Sequence, residues 1–309
     1  MDLAAILTRY GLPPLWDRVP GFGTLVHIIL EQQVSLASAK AAYDRLLAAT
    51  DPLTPETFLR HSDAELLAIG FSRQKARYCR ALAAAIMYPV IYLVLFGPLL
   101  DGAIKQAGAG VSAYNWFVPG LLIQVALFGT AFGGFGLTAE LRYGVVERMR
   151  VTPMSRAAML LGRSLRDVVI LLFQALLMIV LAIPFGLHID IVGVAVTMGL
   201  LALLGLVVAP LSYAAALILK SEDAFAPLVQ SLVMPLLLLS GILLPMALAP
   251  EWLRFLSNLN PLTHATDAAR ALFNSDWGNP EIAIGVAITS ILAVIAVWIA
   301  ARTFSRANA

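Results

Sequence analysis

Residues able to perform covalent or metal chemistry are sparse in this sequence of 309 residues. The single cysteine, Cys79, excludes a disulfide scaffold and a cysteine-based metal site. None of the four lysines follows a glycine, so the Gly-Lys pair of a Walker-type phosphate-binding loop is missing. His264 has no second metal ligand close by in the sequence, and a lone histidine is more often a polar anchor than a ligand. We therefore predict that the chain itself binds no metal or cofactor and hydrolyses no ATP.

The charged residues that could dock a partner protein are concentrated in one segment, residues 140–167. This segment contains six arginines: Arg142, Arg148, Arg150, Arg156, Arg163 and Arg166. Glu140 to about Arg150 can form a short helix, which Thr152-Pro153 would end because the residue before a proline is pushed out of helical geometry. A short charged helix lying across the membrane face could plug into a partner. The alternative is that these arginines only anchor the neighbouring membrane spans.

The chain that contains this segment has the amino-acid composition of a membrane protein. Hydrophobic residues make up 60% of the chain and charged residues 13%, against about 45–50% and about 25% in soluble domains. Charge-free runs of at least 20 residues occur at 81–100, 106–139, 168–189, 191–219, 224–250 and 282–301. A helix needs about 20 apolar residues to cross the hydrocarbon core. We therefore predict an all-α fold with six transmembrane helices, the second running from about Val118 to Ala139 with Trp116-Phe117 at the membrane interface.

Basic residues orient these helices. Nine lysines and arginines lie in the segment 140–167, in the turn between helices 4 and 5 and after helix 6, whereas three lie in the opposite connections. Because connections rich in lysine and arginine stay in the cytoplasm, both termini are predicted to be cytoplasmic. The expected location is the inner or plasma membrane of the cell, and the protein should be multi-pass.

The charge-free runs contain a few uncharged polar residues instead of an ion-coupling site. Gln124, Gln174 and Gln230 lie on predicted helices 2, 3 and 5. They could line a translocation path, or they could form hydrogen bonds between helices, which are common in membrane proteins.

Residues 1–85 differ from residues 86–309, and we predict two domains with this boundary. The first part carries 17 charged residues and the much longer second part carries 23. Capping signals at Thr54-Pro55 and Ser62-x-x-Glu65 predict short helices in a small cytoplasmic helical segment. A helix that begins at Ser72 runs into the first span without a linker. Its basic residues could touch phosphates or form a solvated face beside the membrane: Arg73, Lys75, Arg77 and Arg80.

Residues 140–156 resemble the signature that follows the second span of ABC-2 type transporter permeases. The matching residues are Glu140, Gly144, Glu147, Arg150, Thr152, Pro153, Ser155 and Arg156. Leu141 stands where the family has its first arginine, with Arg142 next to it. A second block resembles the last extracytoplasmic segment of the family: Ser240-Gly241, Pro245, Pro250, Asn260-Pro261, Asp267 and Arg270. The resemblance covers about residues 87–301 and is strongest toward drug-exporter and nodulation-type permeases.

This resemblance implies the permease subunit of an ATP-binding-cassette exporter, which moves an amphipathic, drug-like or lipid-linked substrate outward. The permease would work as a homodimer or with a second permease, among membrane lipids, and a partner subunit would bind ATP and Mg. The ATPase-coupling helix would comprise Glu140, Arg142, Gly144, Glu147, Arg150, Thr152 and Pro153. Residues 251–275 would form short re-entrant helices whose motif residues are Asn260, Pro261, Asp267 and Arg270.

A second resemblance covers about residues 12–83. The runs 21–39 and 63–78 are similar to the opening part of helix-hairpin-helix DNA glycosylases of the 3-methyladenine glycosylase II type. The hairpin that grips DNA in that family and the catalytic aspartate beyond it are missing, so neither base excision nor nucleic-acid binding is expected. Two alternatives to the exporter follow from this segment: a truncated, inactive DNA-repair or DNA-binding module tethered to the membrane, or a non-functional gene fusion.

Overall fold

The computed structural model describes residues 19, 21–106, 112–142, 156–219, 221–242, 246 and 249–306. Within these ranges every regular element is a helix and no strand is found, which confirms the predicted all-α class. The chain divides into two compact units, Met1–Tyr88 and Pro89–Ala309.

The first unit contains short helices packed around a small core. The helices are α1 (Phe22–Glu31), α2 (Leu36–Ala49), α3 (Pro55–Leu59), α4 (Asp63–Ile69) and the first part of α5 (Arg73–Gln106). Helix α4 begins where the Oγ of Ser62 accepts a hydrogen bond from the amide of Glu65 at 3.2 Å, while the Glu65 carboxylate accepts one from the amide of Ser62 at 2.6 Å. Leu46, Phe58 and Leu66 are fully buried in this core.

The second unit is a bundle arranged around one central helix. Besides the end of α5, its helices are α6 (Ala113–Ala131), α7 (Gly133–Arg142), α8 (Arg156–Ala182), α9 (Ile191–Leu219), α10 (Glu222–Leu239), α11 (Glu251–Asn258), α12 (Pro261–Phe273) and α13 (Pro280–Arg306). Helix α9 packs against α6, α7, α8, α10, α12 and α13. Its sequence is apolar on all sides, as expected for a helix with neighbours all around.

In the part of the chain that the structure describes, five helical stretches are long and apolar enough to cross a membrane: Arg73–Leu99, Ala113–Thr138, Ala158–Phe185, Ile191–Leu219 and Pro280–Phe304. The remaining predicted span, 224–250, contains the shorter apolar helix Asp223–Leu239. At about 1.5 Å per residue that helix is about 26 Å long, less than the roughly 30 Å hydrocarbon core. It ends because Gly241 adopts a left-handed backbone with φ of 71°.

The second predicted span has different boundaries in the structure. Its helix begins at Ala113 rather than near Val118, and it is interrupted at Phe132 before α7 continues to Arg142. Phe117, expected at the membrane interface, is fully buried, and its ring centroid lies 5.6 Å from that of Phe96. The early start follows from this burial, because aromatic side chains dominate the packing at this end of the helix.

Candidate functional site

The predicted coupling helix is only partly described. Glu140 and Arg142 lie in the last turn of α7. The other predicted coupling residues lie outside the described residues: Gly144, Glu147, Arg150, Thr152 and Pro153. The described structure therefore contributes the helix that leads into this segment and the contacts at the base of that helix.

Helix α7 is joined to α6 by a break at Phe132, which one side chain of α9 bridges. The Oγ of Ser212 donates a hydrogen bond to the carbonyl of Ala131 at 2.6 Å and accepts one from the amide of Gly134 at 2.9 Å. Interrupting a helix leaves backbone groups on both sides without their helical partners. One hydroxyl therefore satisfies a carbonyl before the break and an amide after it.

A charged cluster lies beside this break. The Tyr213 hydroxyl donates to Oδ2 of Asp167, and the Arg166 guanidinium donates to Oδ1 of Asp167 at 3.0 Å and to the Tyr213 oxygen at 3.2 Å. The Asp167 side chain is 9% exposed and Tyr213 is fully buried. Asp167, Arg166, Tyr213 and Ser212 are called the Asp167 cluster below.

Sequence reasoning missed the Asp167 cluster. In the sequence, Asp167 directly precedes the charge-free run 168–189, and Ser212 and Tyr213 lie within the charge-free run 191–219. The available signal was an acidic residue at the edge of a span that follows a segment rich in arginine. Nothing in that pattern indicates that α9 places a tyrosine hydroxyl against the carboxylate.

A second polar cluster is built around Arg270 on α12. Its guanidinium donates to the carbonyl of Trp116 at 3.1 Å and to the carbonyl of Gly241 at 2.8 Å, and it lies 3.8 Å from the centroid of the Trp116 ring. It also donates to Asp267 at 3.2 Å. Arg270, Asp267, Trp116 and Gly241 are called the Arg270 cluster. Arg270 and Asp267, both named in the predicted extracytoplasmic motif, are thus in direct contact.

Burial shifts the pKa of both charged groups in the Arg270 cluster. Desolvation lowers the pKa of Arg270 to about 10, although the charge and hydrogen bond of Asp267 oppose this shift. Desolvation likewise raises the pKa of Asp267, with Arg270 acting in the opposite direction. Each group therefore stabilises the charged form of the other against desolvation.

The other two motif residues help to close the end of α10. Asn260, which is buried, donates through Nδ2 to the carbonyl of Leu236 at 2.7 Å, and Pro261 begins α12. The hydroxyls of Ser257 and Thr263 both donate to the carbonyl of Leu239, at 2.7 and 3.2 Å. The last carbonyls of the shortened helix are therefore satisfied by side chains of α11, α12 and the turn between them. These are the two short helices that the resemblance predicted within 251–275.

His264 acts as a polar link. Its Nδ1 lies 2.9 Å from Oε2 of Glu281 and its Nε2 lies 3.0 Å from the carbonyl oxygen of Asn258. Desolvation lowers the pKa of His264, but the hydrogen bonds to Glu281 and Asn258 and the Glu281 charge outweigh it and hold the pKa above its usual value. Among the described residues, no group of three or more His, Cys, Asp or Glu could hold a metal ion.

The three predicted path residues lie in different environments. Gln124 is buried on α6, Gln174 is half-buried on α8, and Gln230 is exposed on α10. None of them lines the apolar cavity of about 230 Å³ that α6, α9, α10, α12 and α13 form together. Among the described residues that line it, only Ser212 and Thr289 bring polar side chains, and exposed Leu228 and Leu232 lie on its α10 side.

Comparisons with known proteins agree with this architecture. The ABC-2 type transporter family matches residues 66–274. The daunorubicin resistance ABC transporter permease protein DrrB1 of Streptomyces coeruleorubidus is 24% identical over 226 residues, which cover 72% of this chain and 79% of that protein. The transport permease ycf38 of Cyanophora paradoxa is 28% identical over 200 residues, covering 63% and 69% of the two chains. The multidrug ABC transporter permease YbhR of Escherichia coli K12 is 25% identical over 170 residues, covering 53% and 45%. No solved structure matches the chain.

The apolar spans and their polar ends define a multi-pass membrane protein. The chain belongs to the ABC-2 type transporter family. It is the membrane permease subunit of an ATP-binding-cassette exporter, which confirms the resemblance found in residues 140–156 and 240–270. Permeases of this family work with an ATP-binding subunit.

Proposed function

We propose that this permease exports an amphipathic, drug-like or lipid-linked substrate, using ATP that a partner subunit hydrolyses. The observation that carries the substrate class is the apolar cavity between α6, α9 and α10. A cavity of about 230 Å³ with two polar side chains in its lining suits the hydrophobic part of such a molecule better than a sugar or an ion. The names of the relatives, daunorubicin resistance and multidrug transport, support the same class.

The remaining features of the transporter belong to the same proposal. The permease would form a homodimer or pair with a second permease, with six spans and with both termini in the cytoplasm. Residues 140–153 would receive the movement of the ATPase, whose closure switches access in a rigid-body change. ATP and Mg would be bound by the partner, and this chain would catalyse no reaction. Gln124, Gln174 and Gln230 would meet the substrate only if it also moves outside the apolar cavity.

The alternative function, a truncated DNA-repair module or a gene fusion, concerns the first unit. A fusion of two genes would account for the resemblance of residues 12–83 to a truncated DNA glycosylase, which remains a prediction from the sequence. The permease family match nevertheless begins at residue 66, inside that stretch. The intact mass of the protein extracted from its source membranes tests the fusion. A mass near 33.1 kDa supports a single fused chain, and a clearly smaller mass without residues 1–85 contradicts it.

The cavity is tested in proteoliposomes that contain the permease and the ATPase that co-purifies with it. The probe is daunorubicin, a fluorescent amphipathic amine, and the readout is its ATP-dependent movement. Leu232→Trp should reduce transport at least about tenfold because the larger ring fills the cavity, whereas Leu238→Trp is the matched control. Both leucines are exposed on α10, at 58% and 60%, but only Leu232 lines the cavity. Equal transport by the two variants would contradict the assignment of the cavity, and failure to retain any ATPase would contradict the proposed function.

The coupling helix is tested separately. Glu147→Ala and Arg150→Ala should abolish transport while membrane insertion is unchanged, because both residues would contact the ATPase. Arg254→Ala changes an exposed arginine on α11 and is the control. Normal efflux in both coupling variants would show that residues 140–153 do not receive the ATPase.

A further inference from the structure

The break between α6 and α7 is held by three other helices at once. Ser212 of α9 bonds backbone groups on both sides of it. A Cβ on Gly133 would lie 2.9 Å from Oδ2 of Asp167 on α8. A Cβ on Gly134 would lie 2.7 Å from the carbonyl oxygen of Ser212 and closer still to the ring of Phe225 on α10. The two glycines therefore allow α8, α9 and α10 to approach the backbone at a single point.

This point also lies on the only covalent path from α6 to the predicted coupling segment. Helix α7 is 10 residues long, and its last turn, from Glu140 to Arg142, is the start of that segment. A rigid helix of this length transmits a movement at one end to the other, and the interruption at Phe132 is where its direction can change relative to α6. The fully buried Phe225 contacts Phe135 in an edge-to-face arrangement, with centroids 5.0 Å apart.

We propose that the break at Phe132–Gly134 is the pivot that passes ATPase movement from α7 to α8, α9 and α10, and that Ser212 and Asp167 are its positioning residues. This inference rests on the proposed function. Ser212 sets the angle of the break because a single hydroxyl bonds to both of its sides. Asp167, held by Tyr213 and Arg166, fixes α8 and α9 against Gly133. A change of angle at the break then moves the α9 and α10 walls of the apolar cavity.

The experiment follows the cavity wall directly. A nitroxide label is attached at Leu232→Cys in a Cys79→Ala background. The measurement is the accessibility of this label to oxygen in the reconstituted permease–ATPase complex, with and without ATP and vanadate. We expect ATP to change this accessibility in the parent protein. Ser212→Ala and Asp167→Asn should reduce that change at least about fivefold. The first substitution removes the hydroxyl that bonds both sides of the break, and the second removes the carboxylate charge that holds Arg166 and Tyr213. In Asp167→Asn, ATP hydrolysis should stay within about twofold of the parent rate, which separates lost positioning from loss of the ATPase.

Ser164→Ala is the matched control. Ser164 is a fully buried serine on α8, but its hydroxyl donates to Leu160 of its own helix at 3.0 Å and not across a break. It should keep the ATP-dependent change. An unchanged response in Ser212→Ala and Asp167→Asn, or a parent protein whose ATPase is active but whose label does not respond, would overturn the pivot. A permease that retains no ATPase would instead overturn the proposed function.

Discussion

The Asp167 cluster and the Arg270 cluster lie near opposite ends of α9 and hold interrupted helices in different ways. Tyr213 contacts the break near the last third of α9, whereas Gly193, near its start, approaches the carbonyl of Leu272 on α12. The 20 residues between those positions span about 30 Å. At the Asp167 end one serine hydroxyl bridges the break. At the Arg270 end a guanidinium joins α12 to α6 and to the turn after α10, while Asn260, Ser257 and Thr263 bond the end of α10.

The difference distinguishes a joint from an anchor. The joint is the break at Phe132–Gly134 that the Asp167 cluster holds, and the anchor is the Arg270 cluster. A charged donor shared among several backbone carbonyls is costly to remove because all of those buried acceptors lose their partner together. A neutral hydroxyl that bridges two backbone groups makes hydrogen bonds of about 1 kcal/mol each. We therefore expect substitutions in the Arg270 cluster to lower stability most, and substitutions at the break to act chiefly on coupling.

The largest stability loss is expected for Arg270→Ala. It removes the guanidinium that donates to the carbonyls of Trp116 and Gly241 and to Asp267, and it removes the cation–π contact. The free energy of unfolding should therefore fall by about 3 kcal/mol. Titration with SDS in mixed micelles measures this quantity. Arg254→Ala, at an exposed arginine of α11, should stay within about 0.5 kcal/mol of the wild type. If Ser212→Ala destabilised the protein more than Arg270→Ala, the distinction between joint and anchor would be wrong.

Two glycines of α7, Gly134 and Gly136, form a matched pair that tests the packing at the joint. Gly134→Ala should lower the free energy of unfolding by about 1–3 kcal/mol, because the new methyl group meets the Ser212 carbonyl and the Phe225 ring. Gly136→Ala meets nothing within 4 Å, and it should be neutral or slightly stabilising because alanine favours the helix. The same micelle titration distinguishes the two. Equal effects would mean that close packing at Gly134 does not hold the break.

Removing the side-chain cap of α10 should lower the free energy of unfolding less than removing Arg270 does. Asn260→Ala removes the bonds from its side chain to the carbonyl of Leu236 and to the amide of Leu262. We expect a loss of about 1–2 kcal/mol, the usual cost of removing an N-cap residue. Asn258→Ala is the control, since Asn258 is exposed and only its backbone carbonyl is bonded to His264. A control loss as large as that of Asn260→Ala would contradict the capping role.

The smallest effect is a pH dependence at His264. Because its folded-state pKa is raised, the stability it contributes is fully present below the unfolded pKa of about 6.5 and is lost as pH rises through the folded value. The thermal midpoint of the wild type should therefore exceed that of His264→Gln most near pH 6 and least near pH 9. Glu281→Gln should weaken this dependence because it removes one of the charges that favour the imidazolium. A difference that grows with pH would contradict the predicted sign.

The positions of the spans followed from the sequence because apolar content is additive along the chain. Five of the six charge-free runs coincide with helices long enough to cross a membrane. The run 224–250 did not, because hydropathy does not register that Gly241 turns the backbone with φ of 71°. The interruption at Phe132 escaped prediction for a similar reason: it is stabilised by Ser212, a residue 80 positions away in the sequence.

The motif residues show the same division. Residues 140–156 identified the family because their spacing is a local property of the chain. The assignment of Asn260, Pro261, Asp267 and Arg270 to one extracytoplasmic motif stays a prediction. What they contact was not predictable: the partners of Arg270 include Trp116, 154 positions away, and the backbone of Gly241. The predicted path residues Gln124, Gln174 and Gln230 show that an uncharged polar residue in a span does not by itself indicate a cavity wall. Gln230 is exposed, and the cavity lining on α10 is apolar.

The sequence by itself determined the membrane character, the helical class and the family, because each depends on composition or on short spacing. Only the tertiary structure decided which carbonyls and amides lose their helical partners, since helices end where packing and glycine geometry allow. It therefore also decided which distant side chains satisfy those groups. Ser212 and Arg270 occupy these positions because an unsatisfied backbone group in an apolar environment is too costly to leave unpaired.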